Sequence, residues 1–236
     1  MRTPLTLMRA DAEVLLRGRE RMAEEDAFLL EDIVAEANHM TILATSMLTL
    51  ARLDANPQHQ EHEIIDLNTL ATLGVQRVTA FAQQKEVTVE YTPGDPVLTI
   101  GDPTLLAQAV LVLLDNAIKY NRRGGNVSIH TSSNDGYALL KISDTGIGIP
   151  SEHLPHLSER FYRVDKARSR EAGGAGLGLS IAHGIVALHQ GSLTLTSTVD
   201  QGTTATLLLP LASSPPAHSN ATAKKTIPQP HESPLL

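Results

Sequence analysis

In the stretch LLDNAIKYN (113–121), Asn116, Lys119 and Tyr120 stand three and four residues apart. On a helix that spacing puts them on one face. An amide oxygen, an ammonium and an aromatic hydroxyl so placed suit a metal ion, a phosphate and a base or ribose. Taken alone, the stretch reads equally well as an amphipathic helix with a polar outer face. A second stretch, DTGIGIP (144–150), opens on Asp144, whose carboxylate can accept a hydrogen bond from an exocyclic amine; Gly146 and Gly148 follow, where main chain can approach a ligand closely. A third, GGAGLGLSIA (173–182), is a glycine-rich loop that opens a helix, and backbone N–H groups at a helix N-terminus attract phosphate. It is not the dinucleotide fingerprint, since no strand immediately precedes it, and it lacks the lysine of a P-loop. Between the second and third lies ERFYRVDKARSR (159–170), ordinarily solvated surface, whose Arg163, Lys166 and Arg168 can here close over a triphosphate.

These stretches need elements to hold them. Apolar residues spaced by three and four predict a helix over 2–20 and a longer one over about 27–54, the second with a heptad-like stripe through Ile33, Met40 and Met47. Such a hairpin buries too little alone and is expected to pair with a second copy as a four-helix bundle. The polar, Pro-containing NPQHQEHE (56–63) marks a boundary. Beyond it the pattern predicts a helix at 67–85, alternating segments VTVEYT and VLTI, and a helix at 103–120. Strands NVSIHTS and YALLKIS follow, joined through an Asp-Gly turn, then a helix after the glycine loop and a final hairpin. The order suggests an α+β chain whose larger part is an α/β sandwich, one sheet with helices on one face. The domains read 1–55 for the helical hairpin, 56–66 for a linker, 67–211 for the sandwich, and 212–236 for a Pro-rich tail expected to be disordered.

Composition narrows the function. The absence of Cys rules out disulfides and thiolate metal sites and points to a reducing compartment, so a cytoplasmic location is expected. A net charge of −7 argues against a nucleic-acid partner. No apolar run has the length a membrane span needs.

Taken in order, Asn-x-x-Lys-Tyr, Asp-x-Gly-x-Gly, Phe-Tyr-Arg-Val-Asp and Gly-x-Gly-Leu-Gly-Leu form a far more specific signal than any one of them. The set resembles the N, D, F and second G boxes of sensor histidine kinases, with a GHKL-type ATP-binding domain, over about residues 2–210. The resemblance implies ATP and Mg²⁺ as cofactors, with Asn116 on the metal that bridges the phosphates. It puts Lys119 on phosphate oxygens, Tyr120 beside the nucleotide and Asp144 on the adenine amino group. Gly146 and Gly148 would allow close approach of the base. Gly174, Gly176, Leu177 and Gly178 would shape the lid's end and the phosphate cradle, and Arg163 and Arg168 match lid positions that reach the γ-phosphate. The N box commonly begins with a further Asn four residues before Asn116; Val112 stands there, which implies a metal site one amide poorer.

The resemblance extends to the N-terminus, where Arg2-Thr3-Pro4-Leu5 matches the end of the H box, His-Glu-Leu-Arg-Thr-Pro-Leu. Met1 stands at the Leu position, and the acceptor His and its acidic neighbour would precede it. None of the ten His residues takes that place. The expectation is a chain shortened at its N-terminus from a longer, membrane-anchored kinase, which in-frame His-Glu codons just upstream of Met1 would bear out. Thr3 matches the Thr of the family's phosphatase motif, where it would orient water against a response regulator's aspartyl phosphate. The leading expectation is a homodimeric, ATP-dependent histidine kinase that passes phosphate on to a response-regulator receiver domain. Its rivals are a non-catalytic ATP-binding dimerisation module, a response-regulator phosphatase, and an ATPase of the chaperone or topoisomerase type.

Overall fold

The computed structural model describes residues 62–164 and 176–212, with isolated helical positions at 14, 30, 33, 34, 37, 40 and 47 before them. Most of the N-terminal hairpin, and with it Thr3, lies outside the described residues, as do Lys166, Arg168, Gly174 and the C-terminal tail. The elements run β1 (Glu63–Asp66), α1 (Leu67–Gln84), β2 (Thr88–Tyr91), β3 (Leu98–Gly101), α2 (Pro103–Lys119), β4 (Asn126–Asn134), β5 (Tyr137–Asp144), a 3-10 turn (Ser151–His156), α3 (Gly178–Leu188), β6 (Ser192–Thr198) and β7 (Gly202–Pro210).

Local chemistry accounts for the element starts. Asp66 caps α1 by accepting from Asn68 N at 3.0 Å, and the same oxygen accepts from Val97 N at 3.0 Å. Asp102 caps α2 through Thr104 N and Leu105 N, at 2.8 and 3.0 Å, ahead of Pro103 in the first turn, where a missing N–H costs nothing. Between β4 and β5, Asp135 and Gly136 take φ of 49° and 81°, the type I′ geometry that matches strand twist in a two-residue hairpin loop.

Strands β2-β4-β5-β7-β6 form one sheet, with β2 parallel to β4 and the other pairs antiparallel. Alternation along the central strands buries Val127, Ile129, Ala138, Leu140, Ile142, Ala205, Leu207 and Leu209. They pack in one core with Leu106, Leu113, Leu114 and Ile118 of α2 and Ile181, Ile185 and Val186 of α3. Two expectations are corrected here. VLTI does not join the main sheet: β3 pairs antiparallel with β1 in a separate two-stranded sheet. Residues 63–66, read as linker, form that partner strand. A four-residue strand gives too short an alternation to stand out beside a polar stretch.

His189, at the C-cap of α3, fastens this small sheet to the core. Its ring is 5% exposed; Nε2 accepts from Asp102 N at 2.9 Å, and Nδ1 donates to the Ile185 carbonyl at 2.7 Å. Gly101 leaves the ring its space, since a Cβ there would strike His189 Cδ2. Burial lowers the His189 pKa, with the neighbouring His62 adding to the effect against the Ile185 hydrogen bond and Asp102. The native state therefore binds this proton less readily than the unfolded chain does. Stability due to the neutral ring is present above about pH 6.5 and is lost as pH falls towards the depressed folded value, with a slope of up to about 1.4 kcal/mol per pH unit. Urea melts across that range should show a shallower pH dependence for His189→Gln than for wild type.

Candidate functional site

The C-terminal ends of α2 and β5 and the start of α3 converge on one region. Asn116 and Lys119 lie in the last turns of α2 and are half-buried. Tyr120 is the C-cap rather than a helical residue; its ring is exposed, with Lys119 Nζ 5.4 Å from its centroid. One turn before Asn116, Val112 points at the start of α3, since a Cβ on Gly178 would lie 3.2 Å from Val112 Cγ1.

Asp144 ends β5, half-buried. Its Oδ1 accepts from Gly146 N at 2.8 Å and from Thr203 N, at the start of β7, at 3.1 Å. Among the described residues Oδ2 accepts no hydrogen bond. Burial raises the carboxyl pKa, opposed by those two N–H donors. One oxygen is held in place while the other remains available to a ligand donor.

The two glycines after Asp144 are required by the packing of the fold itself. A Cβ on Gly146 would collide with the Tyr120 carbonyl, whose oxygen accepts from Ile147 N at 3.1 Å. A Cβ on Gly148, at φ 68°, would collide with the Thr198 carbonyl. Protein main chain, from the end of α2 and the end of β6, crowds both positions. The glycines let three elements close around Asp144.

Residues 161–163 and Gly176 meet. Phe161, at φ 67°, donates its N–H to the Gly176 carbonyl at 2.9 Å. Gly176, at φ 69°, packs so closely that a Cβ would lie 2.9 Å from the Tyr162 carbonyl oxygen and 3.1 Å from Arg163 Cγ. Arg163 therefore sits beside the approach to α3. Its Nη2 is buried and has no hydrogen-bond partner among the described residues. Burial lowers the Lys119 pKa, and the charges of Arg163 and Lys85 push it the same way against Asp115. Leu177, buried, is the N-cap residue of α3, and no side chain caps the helix. The first-turn N–H groups of an uncapped helix are an anion site when cations stand beside them. No cluster of three or more His, Cys, Asp or Glu able to hold a metal occurs among the described residues. A metal here would have the Asn116 amide and ligand oxygens, which suits Mg²⁺, an ion that keeps waters and phosphates as partners.

Sequence reasoning missed the β6–β7 end. Thr203 donates to Asp144 from 59 residues away, and Gly202, at φ 117°, leaves room for the Asp144 carbonyl. The Gly-Thr pair after a predicted turn was the available signal.

With this geometry in place, the comparisons are consistent. The family profile described as "Histidine kinase-, DNA gyrase B-, and HSP90-like ATPase" matches residues 101–213. Sensor histidine kinase RppB of Synechocystis is 34% identical over 221 residues, covering 93% of this chain and 48% of its own length. Mycobacterial sensor histidine kinase MprB is 33% identical in a solved structure with a TM-score of 0.55, covering 64% of this chain and 98% of that one. Full-length ShkA, solved in complex with AMPPNP, shares the fold with a TM-score of 0.71 over 90% of this chain and 44% of its own, at 23% identity. The chain spans about half the length of the curated relatives it matches.

Proposed function

We infer, for a chain that belongs to the sensor histidine kinase family, that this site binds ATP and donates its γ-phosphoryl group to a histidine, from which it passes to a response-regulator aspartate. The observation that carries the reading is Arg163 Nη2, a buried guanidinium nitrogen with no partner among the described residues, on a side chain packed against Gly176 just before the uncapped start of α3. A buried donor without a partner is costly, and a triphosphate relieves that cost.

Asp144 would select adenine: held through Oδ1, it offers Oδ2 to the exocyclic amine. Lys119 and Arg163, with Arg168 and Gly174 assigned from the motif alone, would hold and neutralise the phosphate oxygens. Positioning and charge neutralisation make up most of the catalysis of phosphoryl transfer. Asn116 would hold Mg²⁺, which when bound draws charge from the phosphates. In transfer, the bond from the γ-phosphorus to the bridging oxygen breaks, ADP leaves, and a bond to the acceptor imidazole nitrogen forms. Ile33, Met40 and Met47, spaced by seven, are all exposed, which supports pairing of the N-terminal helices with a second copy. Among the described residues, no helix is long and apolar enough to cross a membrane.

The test mixes this chain with ATP radiolabelled on the γ-phosphate and a partner protein carrying an intact histidine-bearing helix. Label on the partner is expected. Nucleotide binding without transfer at saturating ATP would leave a binding module, the reading favoured by Val112. Restoring the amide tests that point: Val112→Asn should tighten Mg-dependent ATP binding about fivefold, by calorimetry with and without the metal, at a stability cost of roughly 1 kcal/mol for an amide placed in a packed position.

A further inference from the structure

We propose that Ser197 is a positioning residue for adenine selection, holding the loop and the strand start that between them fix the Asp144 carboxylate; this rests on the nucleotide-binding role assigned above. Ser197 is half-buried in β6. Its Oγ accepts from Ile149 N at 2.8 Å, donates to the Gly202 carbonyl at 2.9 Å, and lies 2.9 Å from Thr203 Oγ1. A serine hydroxyl has one hydrogen and two lone pairs. The hydrogen is spent on Gly202, so the Thr203 hydroxyl must donate to Ser197, and the group is fully used.

Each of those partners leads to Asp144. Thr203 is the residue whose N–H reaches Asp144 Oδ1, and Gly202 is packed against the Asp144 carbonyl. Ile149 closes the loop that starts at Asp144 and includes Gly146, the other donor to Oδ1. Asp200 N donates to the Ile147 carbonyl at 2.9 Å, and Arg122 pairs with Asp200, so the same hairpin end grips the loop at a second point and ties it to the end of α2. Ser197, like Asp144 itself, thus joins the loop to the strand start. Removing its hydroxyl leaves the Ile149 N–H and the buried Gly202 carbonyl without this partner and frees the Thr203 side chain to rotate. Both donors to Oδ1 then gain freedom, and the aim of Oδ2 degrades.

The consequence is specific to the base edge. Inosine triphosphate differs from ATP in the base, with an oxygen where adenine has its amine, so it reports on Asp144 and leaves the phosphate contacts in common. Ser197→Ala, made in the full chain, should bind ATP about tenfold more weakly by calorimetry, with the preference for ATP over inosine triphosphate falling by a similar factor. Amide hydrogen exchange at Ile149 should accelerate, and Ser197→Thr, which keeps the hydroxyl, should restore the preference. If Ser197→Ala does not fold, Ser197→Cys, which keeps the volume and weakens the hydrogen bonds, should show the same fall in preference. An unchanged preference in a variant that still binds nucleotide overturns the positioning role alone, including the case in which exchange accelerates and both affinities fall together. Wild-type protein that binds neither nucleotide overturns the functional reading and this role with it.

Discussion

Replacing Asp144 by Asn should remove most of the ATP affinity while leaving the fold as stable as before, or more so. The binding half follows from hydrogen-bond polarity. Oδ1 accepts two backbone N–H groups, from Gly146 and Thr203. In the Asn variant only the amide oxygen can take that place, so the amide NH₂ is turned outward, donor against the adenine amine. Loss of a hydrogen bond to a charged acceptor is worth about 1.5–3 kcal/mol, or roughly 10- to 150-fold in affinity. A 6-oxo purine, which presents an acceptor, should be favoured in relative terms.

The stability half follows from the pKa. Burial raises the Asp144 value despite its two N–H donors. The native state therefore takes up this proton at a higher pH than the unfolded chain, whose Asp titrates near about 3.9. Between those two values stability falls as pH rises, and above them the ionised carboxylate remains a cost to the fold. Asn carries no charge and removes that dependence. Calorimetric titration with ATP and inosine triphosphate, and urea melts from acid to neutral pH, measure the two halves. ATP affinity unaltered by the substitution would refute the assignment of Asp144 to the base.

Arg163→Met should likewise separate function from stability. The side chain keeps its bulk against Gly176 but loses the charge and the unpartnered Nη2. Burial holds the Lys119 pKa down, and Arg163 and Lys85 add to it; removing one of those cations relieves the nucleotide-free protein. Its thermal midpoint should hold or rise. ATP affinity should fall by roughly 10- to 100-fold, the loss of one or two charge-assisted hydrogen bonds, and its salt dependence should become shallower. Adenosine, which has no phosphate, should bind both proteins equally. A drop in thermal midpoint together with unchanged ATP binding would make Arg163 a structural residue and remove the main support for the phosphate site.

Which parts of this could be read along the chain depends on how far apart the cooperating residues lie. Asn116 and Lys119 belong to one helix, so their shared face follows from spacing alone. The caps at Asp66 and Asp102 and the Asp135-Gly136 turn depend on atoms within a few residues. The ordered motifs likewise carry the family, because each is a contiguous run. Tyr120 falls just past the helix end, where sequence periodicity is least informative, and the crowding at Gly146 and Gly148 comes from carbonyls that arrive from two other elements.

The remainder was decided by packing. Thr203 meets Asp144 across 59 residues, Ser197 meets Ile149 across 48, and His189 meets Asp102 across 87. None of those pairs has a local signature: sheet order and register decide what Asp144, Ser197 and Thr203 face, where a slip of one residue would turn a strand's side chains to the other face, and the packing of α3 against α2 brings His189 to Asp102. Sequence alone thus determined the chemistry available and the elements that carry it, since helix spacing, caps and turns are short-range. Tertiary structure decided which carboxylate oxygen is held, which arginine nitrogen is left waiting, and which strand leaves the main sheet, since those outcomes depend on surfaces that come together only when the core closes.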